Sequence, residues 1–409
     1  MVGHINTGDT AFVLICAALV ALMTPALAFF YGGLVRRKNF LAIMMQSFIS
    51  MGIVTTIWVF FGYSLAFSGD AGGLIGNFSW AALTHVGHLP GPWAPTIPAQ
   101  AHFVYQEMFA IITPALITGA FADRVKFKSY LWFLVLWSII VYIPFVHWIW
   151  GGGWLAQHGV RDWAGGAVVH MSAGYAALAS VFVVGRRKFA PGERSLPHNV
   201  AFVALGTGLL WFGWFGFNSG DGYAANGFAA QAFVNTDIAG SIAMCTWLAI
   251  TWWHDGKPSL VGALTGAVAG LATITPCAGY VPTWASFIIG LSAGSACYYA
   301  VILKSRMQWD DALDVWAAHG VGGTLGIILL GVFATYAVNP TGGQGLITGH
   351  WSFFGWQVVT AVVIAAYAFV ATFLILKLIN LFGPVRVPDS VQLKGLDETE
   401  FGEAAYDLI

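Results

Sequence analysis

Asp162-Trp163-Ala164-Gly165-Gly166-Ala167-Val168-Val169-His170 places a carboxylate eight residues before an imidazole, where the chain enters a long apolar run. In a helix that spacing covers about 12 Å along the axis at ~1.5 Å per residue. Asp311-Ala312-Leu313-Asp314-Val315-Trp316-Ala317-Ala318-His319 repeats it in the second half of the chain. Ionisable side chains at membrane depth are costly, so they are read first as functional groups. Two copies of one such spacing point to an internal repeat.

Composition sets the solvent. Of 409 residues, 58% are hydrophobic and 9% charged, with 50 glycines and 19 tryptophans. A soluble domain carries roughly 25% charged residues. This is the composition of a polytopic membrane protein. A net charge of −1 suggests no nucleic-acid partner. Cys16, Cys245, Cys277 and Cys297 lie scattered in apolar runs without metal-ligand spacing, so they read as small core residues rather than disulfides. No Lys or Arg precedes the first apolar run, which argues against a secretory signal and for a retained span entering from outside.

Runs of about 20 apolar residues qualify as spans. Eleven are read, at 10–32, 40–67, 101–121, 130–150, 163–184, 198–219, 226–253, 258–277, 282–303, 314–337 and 351–379. The connections around Arg36, Arg124, Arg186, Lys257, Lys304 and Arg386 are basic, whereas 68–100, 220–225, 278–281 and 338–350 hold no Lys or Arg. Only Arg161 falls on the second side, leaving 16 of 17 basic residues on one face. The inside-positive bias then puts the N-terminus out and the C-terminus in, which requires an odd number of spans. The two Asp-to-His stretches fall in spans five and ten. That predicts an all-α protein of two inverted five-span halves, 10–184 and 198–337, plus a last span at 351–379, together forming a transmembrane domain over 1–380. Inverted repeats commonly meet at a site near the bilayer midplane. Small-residue faces at Gly262–Gly270 and Gly320–Gly326 suit close helix approach, loop 68–100 reads as an outer cap, and 381–409 as a cytosolic tail.

The candidate site follows from polar and aromatic residues at depth. His170 and His319 can share a hydrogen bond and line a path, each imidazole offering one donor and one acceptor. Asp162 and Asp314 serve equally as helix N-caps or as buried functional acids, while Asp310 and Asp311 read as solvated inner-loop charges. Tyr105, Phe109, Trp150, Phe215 and Phe217 crowd the outer side, where aromatic faces can attract a cation or simply form the interfacial belt. Phe109 and Phe217 lie deeper and could plug a pore. Asp221 precedes a glycine in a short connection, as a turn residue does. Glu107 sits one or two turns inside span three, and Asp237 near the middle of span seven has no evident partner.

Together these residues resemble the ammonium transporter (Amt/Mep/Rh) family over essentially the whole chain. The matching stretches are Phe29–Val35, Asp162–His170, Gly213–Asn218, Ala232–Thr236, Lys257-Pro258-Ser259, Asp310–Gly320, and in the tail Val387-Pro388, Gly395-Leu396-Asp397, Gly402-Glu403 and Ala405-Tyr406. The resemblance implies eleven spans in a homotrimer with one pore per subunit, in the inner (plasma) membrane of a prokaryote. It implies that Trp150 and Phe109 help form the outer ion site, that Phe109 and Phe217 gate, that His170 and His319 form a twin-histidine pore, and that Asp162 is the essential buried acid; beside these, Tyr105 and Asp221 are candidate ion contacts and Asp314 a candidate structural or relay acid by their places in the sequence. It further implies a regulatory tail and the PII signalling protein as a cytosolic partner, with no cofactor, no metal and no enzymatic activity. Ammonium or ammonia and membrane lipid are then the other partners. Three departures stand out: the family often has Ser at Asp221, usually an uncharged residue at Glu107, and commonly His where Phe401 precedes Gly402. Two other readings are an ammonium sensor signalling through its tail, and a membrane haem protein with His170 and His319 as axial ligands.

Overall fold

The computed structural model describes residues 3–406. Eleven helices follow one another along the described residues: α1 (Thr7–Leu34), α2 (Arg37–Phe67), α3 (Ala99–Ile117), α4 (Phe127–Gln157), α5 (Gly166–Val184), α6 (Val200–Gly222), α7 (Gly227–Asp255), α8 (Leu260–Ile274), α9 (Thr283–Arg306), α10 (Trp316–Phe333) and α11 (Trp351–Phe382); nine are long and apolar enough to cross a membrane, and α3 and the shorter α8 complete the series. Each expected span has its helix, in order, and the protein is an all-α, multi-pass membrane protein; the charge bias of the connections orients it with the N-terminus outside and the C-terminus inside. The helix starts carry side-chain caps that apolar periodicity does not announce. Asn6, Asn226 and Ser259 each accept backbone N–H bonds at the entry to α1, α7 and α8.

The two halves meet where glycines let backbones touch. The first members, α1 and α6, cross so closely that a Cβ on Gly206 would lie 2.4 Å from the Phe30 nitrogen. The last members, α5 and α10, cross at Gly174, where a Cβ would lie 2.1 Å from the Gly320 nitrogen. Real Cβ atoms do not approach that near, so only glycine permits this crossing. Both of these helices begin in a π-helical turn, Gly166–Met171 and Trp316–Val321, and each turn contains one of the two histidines. Single π turns are frequent at functional sites.

On the inner face the tail folds back over the helix ends. The Lys126 N–H donates to the Val385 carbonyl and the Val387 N–H to the Arg124 carbonyl, both at 2.9 Å. A short helix α12 (Asp389–Lys394) follows, and the Asp397 carboxylate then accepts the Leu41 and Ala42 N–H groups at the start of α2. Two sequence expectations change here. Asp311 is not a solvated loop charge but 1% exposed. Asp310 is held by Arg187, with Nη2 to Oδ1 at 2.7 Å. Burial alone would raise the Asp310 carboxyl, but the Arg187 guanidinium, helped by Arg124, overrides it and holds it down at about 2. Loop charges brought together by folding can neutralise one another, and sequence distance hides this. The four cysteines are free, yet Cys245 is exposed on α7 rather than packed inside.

Candidate functional site

From the outside inwards, the site is a column of rings. Trp150 closes α4 against the outer vestibule, and its indole Nε1 donates to the Asp162 carbonyl at 2.8 Å. Phe109 on α3 meets it edge-on, ring centroids 5.9 Å apart. Beneath, Phe109 and Phe217 lie 4.1 Å apart at 33°, in contact across the passage. Phe217 is followed by His170, centroids 6.0 Å and 24°. His170 and His319 face each other with Nδ1 to Nδ1 at 3.2 Å. One of the two nitrogens must donate and the other accept, so the bond needs at least one neutral ring. Below the phenylalanines the cavity walls are apolar, with Leu27, Ile112, Leu116 and Val169 among them. The His170 Nε2 is buried there without a hydrogen-bond partner among the described residues. A buried orphan nitrogen facing an apolar passage suits a small polar guest.

The supports explain why these rings stand where they do. Trp214, on α6, stacks on His170 at 5.3 Å and 26°, and is anchored through Nε1 to the Thr275 hydroxyl at 2.9 Å. Trp214 belongs to the Gly213–Asn218 stretch without a role of its own in the sequence; its place three residues before Phe217 puts both on one helix face. Tyr105 is fully buried, and its hydroxyl donates to the Phe217 and Gly216 carbonyls at 2.6 and 3.1 Å. The hydroxyl is thereby committed to holding α6, and the Tyr105 ring stands 5.0 Å from Phe109.

Asp162 organises the outer turn. Its two oxygens accept four backbone N–H groups, from Gly165, Gly166, Ala167 and Val168, at 2.7–3.1 Å. Gly165 at φ +109° makes the reversal that aims those donors. Asp221 shares the same vestibule, with Tyr223 Oη at 3.3 Å and Gln106 Nε2 at 3.5 Å from its Oδ1.

The inner counterpart of Asp162 is Asp311, not Asp314. The Asp311 carboxylate accepts the Val315 and Trp316 N–H groups at 3.2 and 2.7 Å. Asp314 instead forms an ion pair with Lys304 and is about a third exposed. The eight-residue spacing to His319 already singled out Asp311; burial was the missing half. Glu107 lies about 200° round α3 from Phe109, toward Thr55 of α2, and not in the passage. Asp237 is exposed on α7.

Comparison with known proteins shows the family. The Ammonium Transporter Family model matches residues 11–406. The chain belongs to the ammonium transporter family. It is 46% identical over 400 residues to an ammonium transporter of Bacillus subtilis, covering 98% of each chain. It is 40% identical to ammonium transporter Amt1 of Archaeoglobus fulgidus, covering 98% of this chain and all of that one. The crystal structure of Candida albicans Mep2 superposes with a TM-score of 0.88 at 34% identity, over 95% of this chain and 88% of that one. A structure titled "Sensor Amt Protein" superposes with a TM-score of 0.87 at 26% identity, over 96% and 98%.

Proposed function

We infer that the protein is an electrogenic ammonium transporter that separates the ion's proton from its nitrogen. The observation that carries this reading is the buried His170–His319 bond, set in an apolar passage and capped by two touching phenylalanines. An ammonium ion entering the vestibule meets the Trp150 and Phe109 faces and the Asp221 carboxylate. Cation–π contact contributes roughly 0.5–2 kcal/mol there. Carrying the bare ion past Phe217 would cost several kcal/mol, and desolvation disfavours the charged form and lowers the ion's pKa. Loss of the proton is therefore favoured at the gate. Neutral ammonia passes the histidines, and the proton follows separately through them, so charge crosses. Sodium and potassium cannot shed charge and are excluded.

The test is a current. Reconstituted in liposomes, the protein should give a saturable transient after an ammonium jump and none after potassium or sodium jumps. Replacing His170 and His319 together by leucine should abolish it; a surviving selective current would sink the relay. A sensor is the second reading, favoured by the superposition on the sensor Amt structure. Ammonium binding without current would establish it.

The exposed Asp237 supports contact of α7 with a neighbouring subunit, in the homotrimer that the family resemblance implies. It lies ten residues into α7, about 15 Å from the outer end, beside the exposed Phe233 and Val234. A carboxylate at the centre of a lipid-facing helix costs about 2.5–3.5 kcal/mol, a penalty that a neighbouring subunit relieves. The mass of the detergent-solubilised particle tests it: three chains are expected, and a single 43.8 kDa chain would end the reading. In a prokaryotic inner membrane, the tail on the cytosolic face would then offer the PII signalling protein its docking place.

A further inference from the structure

We propose that a groove between the inner ends of α4 and α11 binds an anionic phospholipid of the inner leaflet. The groove is walled by Trp132 and Leu136 of α4 and by Leu378 and Phe382 of α11, with Lys126 and Lys128 at its mouth. Its walls face outward: Trp132 is 57% and Phe382 87% exposed. Leu136 lies eight residues along α4 from Lys128, about 12 Å deeper. The groove therefore runs from the headgroup zone into the hydrocarbon, the shape of a lipid rather than of a soluble ligand.

The acid at the mouth, Glu400, bonds the backbone and leaves the two lysines without an ion pair among the described residues. Both stand at the start of α4, the end of a helix where its dipole disfavours cations. The Phe127 N–H between them is already taken by Glu400 at 3.1 Å, so the helix end itself is not the binding group. The inside-positive bias accounts for basic residues on this face, but not for an apolar-walled cleft beneath them. Basic pockets between helices on the cytosolic side take anionic headgroups.

The site also touches the root of the tail. Gly383 and Pro384 line it, and Ser129 Oγ donates to the Pro384 carbonyl at 3.3 Å. A lipid seated here packs against the segment that leaves the membrane and folds over the inner face.

The experiment uses the full chain in neutral detergent, titrated with phosphatidylglycerol or phosphatidylcholine of the same acyl chains, and bound lipid is counted by native mass spectrometry. Phosphatidylglycerol should be retained in preference. Lys126→Gln with Lys128→Gln should weaken its binding about 30-fold, taking about 1 kcal/mol for each lysine near the surface, and leave phosphatidylcholine unchanged. Lys126→Arg with Lys128→Arg should keep the preference. Should the double glutamine variant fail to fold, Lys128→Gln alone, at an exposed position, should cost about fivefold by the same conversion. A preference that survives loss of both lysines overturns the proposal. So does equal retention of the two lipids by the native chain. Displacement of the lipid by inorganic phosphate at matched concentration would assign the site to a free anion and overturn it as well.

Discussion

The turns that open α5 and α10 share a carboxylate, an eight-residue spacing, a π-helical backbone and a histidine, but not their surroundings. Outside, Asp162 takes four backbone N–H groups and, among the described residues, no basic side chain. Inside, Asp311 takes two, and the Lys304 ammonium donates to its carbonyl at 2.7 Å while pairing with Asp314. Arg187 and Asp310 lie next door, already paired. The backbone is symmetric and the charge is not. A negative outer turn and a neutralised inner one suit a passage that receives a cation and delivers a neutral molecule.

The sharpest break of this pairing is to remove each acid. Asp162→Ala would orphan four buried donors at about 1–3 kcal/mol apiece, enough to prevent accumulation of folded protein. Asp311→Ala orphans two and should cost about half as much; thermal unfolding in detergent measures the ratio. Asp162→Asn leaves one accepting oxygen and turns the other into an amide donor facing two N–H groups, so it should cost about as much stability as Asp311→Ala and, in the fraction that folds, carry no ammonium current. Equal losses from Asp162→Ala and Asp311→Ala would dissolve the distinction between the turns.

Next in size is the crossing that lets the turns share one hydrogen bond. Gly174→Ala forces a Cβ toward the Gly320 backbone and should cost about 1–3 kcal/mol through overpacking. Ammonium current should fall with it, because the histidines separate. An unchanged current would show that the 3.2 Å bond is dispensable.

The smallest effect lies in the inner ion pair and appears only in acid. Asp310 has its carboxyl depressed to about 2. A depressed acid stabilises above its unfolded pKa of about 3.9 and loses that contribution as pH falls toward 2, here about 2 kcal/mol. Unfolding followed between pH 5 and pH 2.5 should show this loss in the native chain, and Asp310→Asn should flatten it. Between pH 5 and 8 the native chain should be indifferent to pH on this account.

Much of the above was legible in the sequence, for a physical reason. Span positions and orientation follow from hydropathy and charge, which lipid enforces residue by residue, and the helices fall where those runs do. The histidines were legible because a repeat placed them twice. Phe109 and Phe217 were legible as a pair, but their ring contact and the Trp214 stack on His170 were not, since these depend on how the helices face each other. Asp311 was misread because three acids crowd 310–314, and only burial separates the one that caps from the two that pair with cations. Asp237 was noticed by its depth, but its exposure needed the fold.

The Asp397 contact with α2 has a consequence in time. The start of α2 leaves the ribosome long before its cap, which is 356 residues away from Leu41. At 5–20 residues per second that separation is roughly 20–70 s of synthesis. Through that interval the Leu41 and Ala42 N–H groups wait without the acceptor they finally take. Both histidines are synthesised some 80 residues earlier, so they precede the clasp in the growing chain. A chain stopped short of Asp397 would thus hold both histidines and lack the clasp.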